Sequence, residues 1–390
     1  MEKGEGLADF SLLGGPLYRL GSRLGLVRDR TNTVGVGLVM GVVPWIVLVA
    51  LALLEGFGHA LFSVEAIGAH VRLLVAIPLF FVCETSIDPQ FAGFVREIVR
   101  SHVVPVGERL ALDSRIVRVA RWRDAWLPEV ILLLLAVLLG LAAPAQNLFA
   151  YLPGHTEGSG AGVVGETTWT NHWYWMVCMT LFRFLLLRWL WRLALWCFFL
   201  WRVSKLDLRL VPSHPDRAGG LGFLEFVHIR FAPLILAISA VQSASLAQDL
   251  AWGRMMFDAI FPSVALVLIA DAVLFLGPLC IFSGQLRKCR IKGLRDYGTL
   301  GERYVKAFEK KWLGVSPAPE ESLLGTSDIQ SLADLSTSVD IIRDMRSVPV
   351  SLDMLIYMAG AALLPLLPLA LFKYPLADLL EKFVGMLTGL

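Results

Sequence analysis

Three arginines, Arg183, Arg188 and Arg192, interrupt the apolar run WYWMVCMTLFRFLLLRWLWRLALWCFFLW. A guanidinium stays protonated in protein surroundings, so within a bilayer each of these needs a carboxylate, water or a lipid phosphate. Their steps of five and four residues argue against a voltage sensor, in which arginine recurs every third residue. At about 100° per residue Arg188 and Arg192 share a helix face, while Arg183 lies elsewhere. Arg192, nearer the end of the run, is expected to snorkel to phosphate, with Trp189, Trp191, Trp196 and Trp201 as an aromatic belt. Arg183 and Arg188 call for internal partners. Asp271 and Glu84 fall at a similar depth, roughly 15 to 22 Å into their own apolar runs, and Asp88 follows Glu84 by one turn. The sequence therefore predicts an intramembrane charge cluster of Arg183, Arg188, Asp271 and Glu84 with Asp88 nearby. Such a cluster either lines a hydrated pathway or locks helices together.

A second constellation lies in RVSKLDLRLVPSHPDRAGGLGFLEFVHIR. Pro212 and Pro215 stop the preceding helix, and Gly219, Gly220 and Gly222 permit a tight backbone before the next. Two readings stand. Free amides beside Arg217 could hold a phosphate or carboxylate, or Asp216 satisfies those amides and the loop is a rigid elbow. His214 belongs to an HPD triplet, which in J domains joins two helices of a small soluble domain; apolar runs flank it here. Glu225 and His228 make an ExxH pair, with His214 and Asp216 close in sequence. Bundle metal centres need a second ExxH and further glutamates, so no metal and no cofactor is predicted. Clustered histidines and GxSxG, DxxD-type or HExxH motifs are missing, which gives a lipid-modifying enzyme little support.

The elements that must position these residues follow from composition. Only 17% of residues are charged and 56% are hydrophobic, with mean hydropathy +0.65, against about 25% charged in ordinary soluble domains. Seven apolar runs are long enough to cross a bilayer or nearly so: 34–54, 71–84, 127–146, 173–201, 231–250, 259–282 and 352–372. This predicts an all-α polytopic bundle. Pro365 and Pro368 leave a re-entrant last segment, and six true spans, as the alternative. Prolines near span ends (Pro44, Pro78, Pro233, Pro262, Pro278) are compatible with a transport site and with ordinary membrane helices. Gly37 and Gly41 form a GxxxG pair suited to close helix packing.

Of 35 basic residues, 28 fall in the segments before the first span and between spans two and three, four and five, and six and seven. The opposite side holds Arg254, Lys373 and Lys382. Positive residues are retained in the cytoplasm, which predicts a cytoplasmic N-terminus. The organisation is then a cytoplasmic tail over 1–33, six spans over 34–282, a cytoplasmic helical segment over 283–351, and a last helix with the C-terminal tail over 352–390. No stretch reads as a cleaved signal peptide. The Gly-rich loop 147–172 reads as a flexible outer cap. Within 283–351 the basic first half is expected to lie on anionic headgroups. The second half sets Ile329, Leu332, Leu335, Val339 and Ile342 at helical spacing, a face for the bundle or a second subunit. Five cysteines without a CxxC read as buried apolar residues. The formal net charge of +2 predicts no nucleic-acid partner.

The segments RLLVAIPLFFVCE, LDLRLVPSHPDRAGGLGFL and LLGTSDIQSLADL together resemble an uncharacterised family of bacterial polytopic inner-membrane proteins. The resemblance implies a multi-pass inner-membrane location and carries no catalytic or binding residue. Three functions are then in competition: an ion or small-solute channel or transporter using the intramembrane charges, which the sequence favours; a non-catalytic scaffold or sensor acting through 283–351; and a lipid-modifying enzyme. Membrane lipids and a second copy of the chain are the partners expected.

Overall fold

A computed structural model describes residues 10–12, 14–15, 33–142, 168–313 and 327–373. Among these the regular elements are helices throughout. Six helices are long and apolar enough to cross a membrane, or seven if one bent pair counts as a span. The N-terminal tail before Phe10, the cap loop over 147–167 and the C-terminal tail beyond Lys373 lie outside the described residues, as do residues 143–146 of the third predicted span.

The first span is α1, Thr33–Leu54. It packs on α2, Ile67–Arg100, a single helical run that contains a π-helical stretch at Val71–Ala76. Small residues set this contact. A Cβ added at Gly41 would meet the Leu73 carbonyl oxygen at 2.2 Å, and one at Gly37 would meet Phe81 Cβ at 2.7 Å. The GxxxG pair thus serves close backbone approach. The sequence places the second span at 71–84, but α2 runs on to Arg100 because Ser86, Thr85 and Pro89 do not stop it. The Thr85 and Ser86 hydroxyls donate to the carbonyls of Phe81 and Val82, four residues back, and so continue the helix. At 34 residues it is about 51 Å long, well beyond a ~30 Å hydrocarbon layer.

Basic α3, Arg109–Asp124, bends by 44° into apolar α4, Trp126–Ala142. This pair is the one whose status as a span is open by length. Helix α5 continues the turn at Trp169–Trp173 through to Val203, and α6 covers Phe223–Ala251. Helix α7, Ile260–Leu276, passes through a 3-10 segment, Gly277–Phe282, into α8, Ser283–Trp312. Helix α9, Ser327–Arg343, returns along α8 as an antiparallel hairpin. Lys311 Nζ reaches Asp328 Oδ2 at 2.8 Å at one end, and Arg290 donates to the Arg343 carbonyl at the other.

Two expectations change here. The basic half of 283–351 prolongs the sixth predicted span as one helical run, Phe257–Trp312. The apolar face of α9 packs on α8, where Ile342 is buried against Gly293, rather than on the bundle. The last helix, α10, Leu352–Leu363, is extended by a 3-10 segment, Leu364–Phe372, holding Pro365 and Pro368. Lys373 Nζ meets Asp258 Oδ1, beside the start of α7, at 2.8 Å. This last segment, Leu352–Phe372, is one of the six helices long and apolar enough to cross a membrane.

Candidate functional site

The charges inside the bundle fall into three places rather than one. In the first, Arg192 lies against Glu84, with Nη1 at 2.8 Å from Oε2 and Nη2 donating to Oε1 at 3.1 Å. Arg188 stands 3.9 Å from the same carboxylate and 3.5 Å from Glu129 Oε1. The two arginines are each 6% exposed and Glu84 4%. One turn apart on α5, they share a face, as their spacing requires. Arg192 is therefore an internal partner of Glu84 and does not snorkel. The reason is length: α5 runs 11 residues past it to Val203, so the residue sits in mid-helix. The aromatic belt is revised for the same reason. Trp196 and Trp189 belong to the core, and only Trp201 among the four is well exposed.

The chain segment before α1 closes this group. Arg188 Nη2 donates to the Gly14 carbonyl at 3.2 Å, Ser11 Oγ donates to Asp88 Oδ1, and Phe10 stacks on Phe199 with centroids 4.4 Å apart. Asp88 and Arg192 border a small cavity with Leu12 and Trp189, with room for about one water molecule. Glu129 was not among the predicted members. Its signal was an acid in the first turn of an apolar helix, WLPEV.

Arg183 and Asp271 do not join this group. Five residues before Arg188, Arg183 is turned about 140° around α5 and lies toward α4, with its guanidinium 5.7 Å from the Trp175 ring centre. Its Nη1 is buried without a hydrogen-bond partner. Asp271 faces α6, where Ser239 Oγ donates to it at 3.5 Å, and it makes no ion pair among the described residues. Equal depth on different helices was not enough to bring these side chains together.

In the loop between α5 and α6, Asp216 fills its own amide nest. Oδ1 accepts from Ala218 N at 2.8 Å, and Oδ2 accepts from Gly220 N at 3.0 Å and Gly222 N at 2.8 Å. Gly219 and Gly220 adopt φ of 65° and 96°, a region that disfavours side chains. His214 Nδ1 stands 2.8 Å from Asp216 Oδ1, and Arg217 points to Asp344 at 3.6 Å on the surface. The amides that an outside anion would use are thus taken, and the elbow reading describes this loop. Arg346 clamps it by pairing with Glu225 and donating to the Asp216 carbonyl. The ExxH pair is split accordingly. His228, fully buried, accepts from Trp196 Nε1 at 3.1 Å and donates through Nδ1 to the Phe275 carbonyl at 2.8 Å.

The fold and these sites define an all-α multi-pass membrane protein whose bundle carries a buried, internally paired charge group. No family model, curated protein or solved structure matches the chain.

Proposed function

We propose that the protein is a non-catalytic membrane scaffold or sensor that engages a partner through the α8–α9 hairpin, with that hairpin and the N-terminus in the cytoplasm. The observation that carries the reading is the mutual satisfaction of Glu84, Arg188, Arg192 and Glu129. Buried charges spent on each other hold helix neighbours in register, and these four groups are not free to handle a passing ion. The hairpin supplies what a contact surface needs. Helix α8 spans 30 residues, about 45 Å, and presents Ile291, Leu294 and Val305 exposed on one face of a basic helix. Apolar side chains grouped on a water-facing surface mark an interaction site. The concentration of Lys and Arg on the hairpin side supports the orientation, and the sequence resemblance supports a bacterial inner membrane.

The test is a photo-reactive residue placed at Val305 of the full chain in cells. A discrete adduct, with a second copy or another protein, is expected, and Ile291→Asp with Leu294→Asp should abolish it. Failure to form any adduct from Val305, Ile291 or Leu294 counts against the reading.

One observation favours ion or proton passage as a second reading. Asp271 is buried in α7 with Ser239 as its partner and no cation beside it among the described residues, the state expected of a carboxyl that gains and loses a proton or cation. Flux into liposomes should then fall in Asp271→Asn. Equal flux in both proteins, or none in either, removes it.

A further inference from the structure

On the side of the bundle away from the hairpin, two arginines stand without a counter-charge among the described residues. Arg72, on the π-helical stretch of α2, donates through Nη1 to Tyr174 Oη at 3.1 Å and through Nη2 to Ser245 Oγ at 3.1 Å. Both acceptors are neutral, so they orient the guanidinium without neutralising it. Arg183 lies beyond the same aromatic pair. Tyr174 and Trp175 have ring centroids 5.3 Å apart, and the Arg183 guanidinium is 5.7 Å from the Trp175 centroid. Tyr174, which Arg72 touches, and Trp175, which Arg183 faces, thus connect the two guanidinium groups. Neither has a carboxylate partner among the described residues, and Arg183 Nη1 is buried with no acceptor at all.

Glycine makes the room. A Cβ at Gly68 would stand 2.5 Å from Arg72 Nη1, and one at Gly140 would stand 3.3 Å from Arg183 Nη1. Arg72 is five residues from the start of α2, about 8 Å, and Arg183 is 14 residues from the start of its helical run at Trp169, about 21 Å, with a long side chain that leans back toward that N-terminal end, as helical side chains do. The contrast with Arg188 and Arg192 on the same helix is informative, because there the fold supplies Glu84 and Glu129. Here the described residues supply hydroxyls and rings, and two permanent cations in apolar surroundings call for a negatively charged group.

We propose that Arg72 and Arg183 form a binding site for a phosphate group, held by the guanidinium forks and bordered by Tyr174 and Ser245. Phosphate oxygens match a guanidinium's paired N–H donors, and two forks can share one phosphate. The group is that of a lipid headgroup or of free phosphate, and the experiment separates these.

Native mass spectrometry of the full chain released from detergent is the test, with phosphatidylglycerol, its phosphate-free counterpart diacylglycerol, and inorganic phosphate as probes. Wild type should retain phosphatidylglycerol and not diacylglycerol. Arg72→Gln with Arg183→Gln should weaken that retention roughly tenfold or more, the scale of a lost charge-assisted hydrogen bond. Arg254→Gln, elsewhere on this side, should leave it unchanged. If inorganic phosphate displaces the lipid, free phosphate is an occupant; if it does not, the headgroup is. The charge-keeping Arg183→Lys should retain more lipid than Arg183→Gln, which keeps the proposal testable should the double variant fold poorly. Equal retention of phosphatidylglycerol and diacylglycerol overturns the proposal, as does wild-type retention in the double or single Gln variants.

Discussion

Two buried guanidinium groups, those of Arg188 and Arg192, depend on Glu84. Removing one partner of a buried pair leaves an uncompensated charge and costs roughly 3 to 5 kcal/mol. Glu84→Gln should therefore lower the thermal midpoint in detergent markedly, whereas Glu84→Gln with Arg192→Gln should recover much of the loss, since Arg188 keeps Glu129. Glu84→Gln and Arg192→Gln each with the wild-type midpoint would show that the group is no lock. Glu55, just past α1, gives a pH dependence. Its carboxylate accepts from Trp169 N at 2.7 Å and Thr170 N at 3.2 Å, at the start of the helix that leads into α5. Burial raises its pKa, but the hydrogen bonds from Thr170 and Trp169 outweigh this and hold it below the ordinary 4.5. A lowered carboxyl pKa contributes stability above the unfolded value that is lost as pH falls through the folded one. Hydrogen-exchange protection of the amides of Trp169 and Thr170 should thus be full at neutral pH and fade below about pH 4.5. Glu55→Gln should weaken it already at pH 7.

At the scale of elements, the elbow between α5 and α6 is fixed by one side chain working on three amides. Asp216→Ala frees the N–H groups of Ala218, Gly220 and Gly222 together, and each unmet amide in a part-buried loop costs on the order of 1 kcal/mol. Amide exchange across 216–222 should accelerate in this variant, with the protection of α5 unchanged; a loop that stays protected would mean that Arg346 alone holds it. The HPD triplet and the glycines were legible as a turn from the sequence, since proline and glycine restrict or release φ locally. Arg346, which pairs with Glu225 across 121 residues, was not, because no local pattern reports a contact of that range. Element ends were misjudged where polarity was taken for a stop. Thr85, Ser86 and Asp88 sit inside α2, and basic residues sit inside the helical run from α7 to α8. A helix continues through polar residues when their hydroxyls bond back to it or a neighbouring element covers them.

For the molecule as a whole, the proposed orientation makes a labelling prediction. In a cysteine-free background, Met256→Cys, exposed before α7, should react with a membrane-impermeant maleimide on intact cells, and Lys306→Cys on α8 should react only after lysis. The reverse pattern would invert the topology. The membrane class, most of the spans and the charge asymmetry were fixed by composition and hydropathy, because the bilayer acts on each segment separately and each must satisfy it alone. The pairing of Arg188 with Glu84 was legible for the same reason, since depth and helix face are counted along the chain. Tertiary structure alone decided the rest: that Arg192 turns inward, that Glu129 joins it, that Asp271 faces Ser239, and that among the described residues Arg72 meets hydroxyls and Arg183 an aromatic ring. Those outcomes depend on which helix lies beside which, and residues at equal depth become partners only when their helices are neighbours with the right faces turned together.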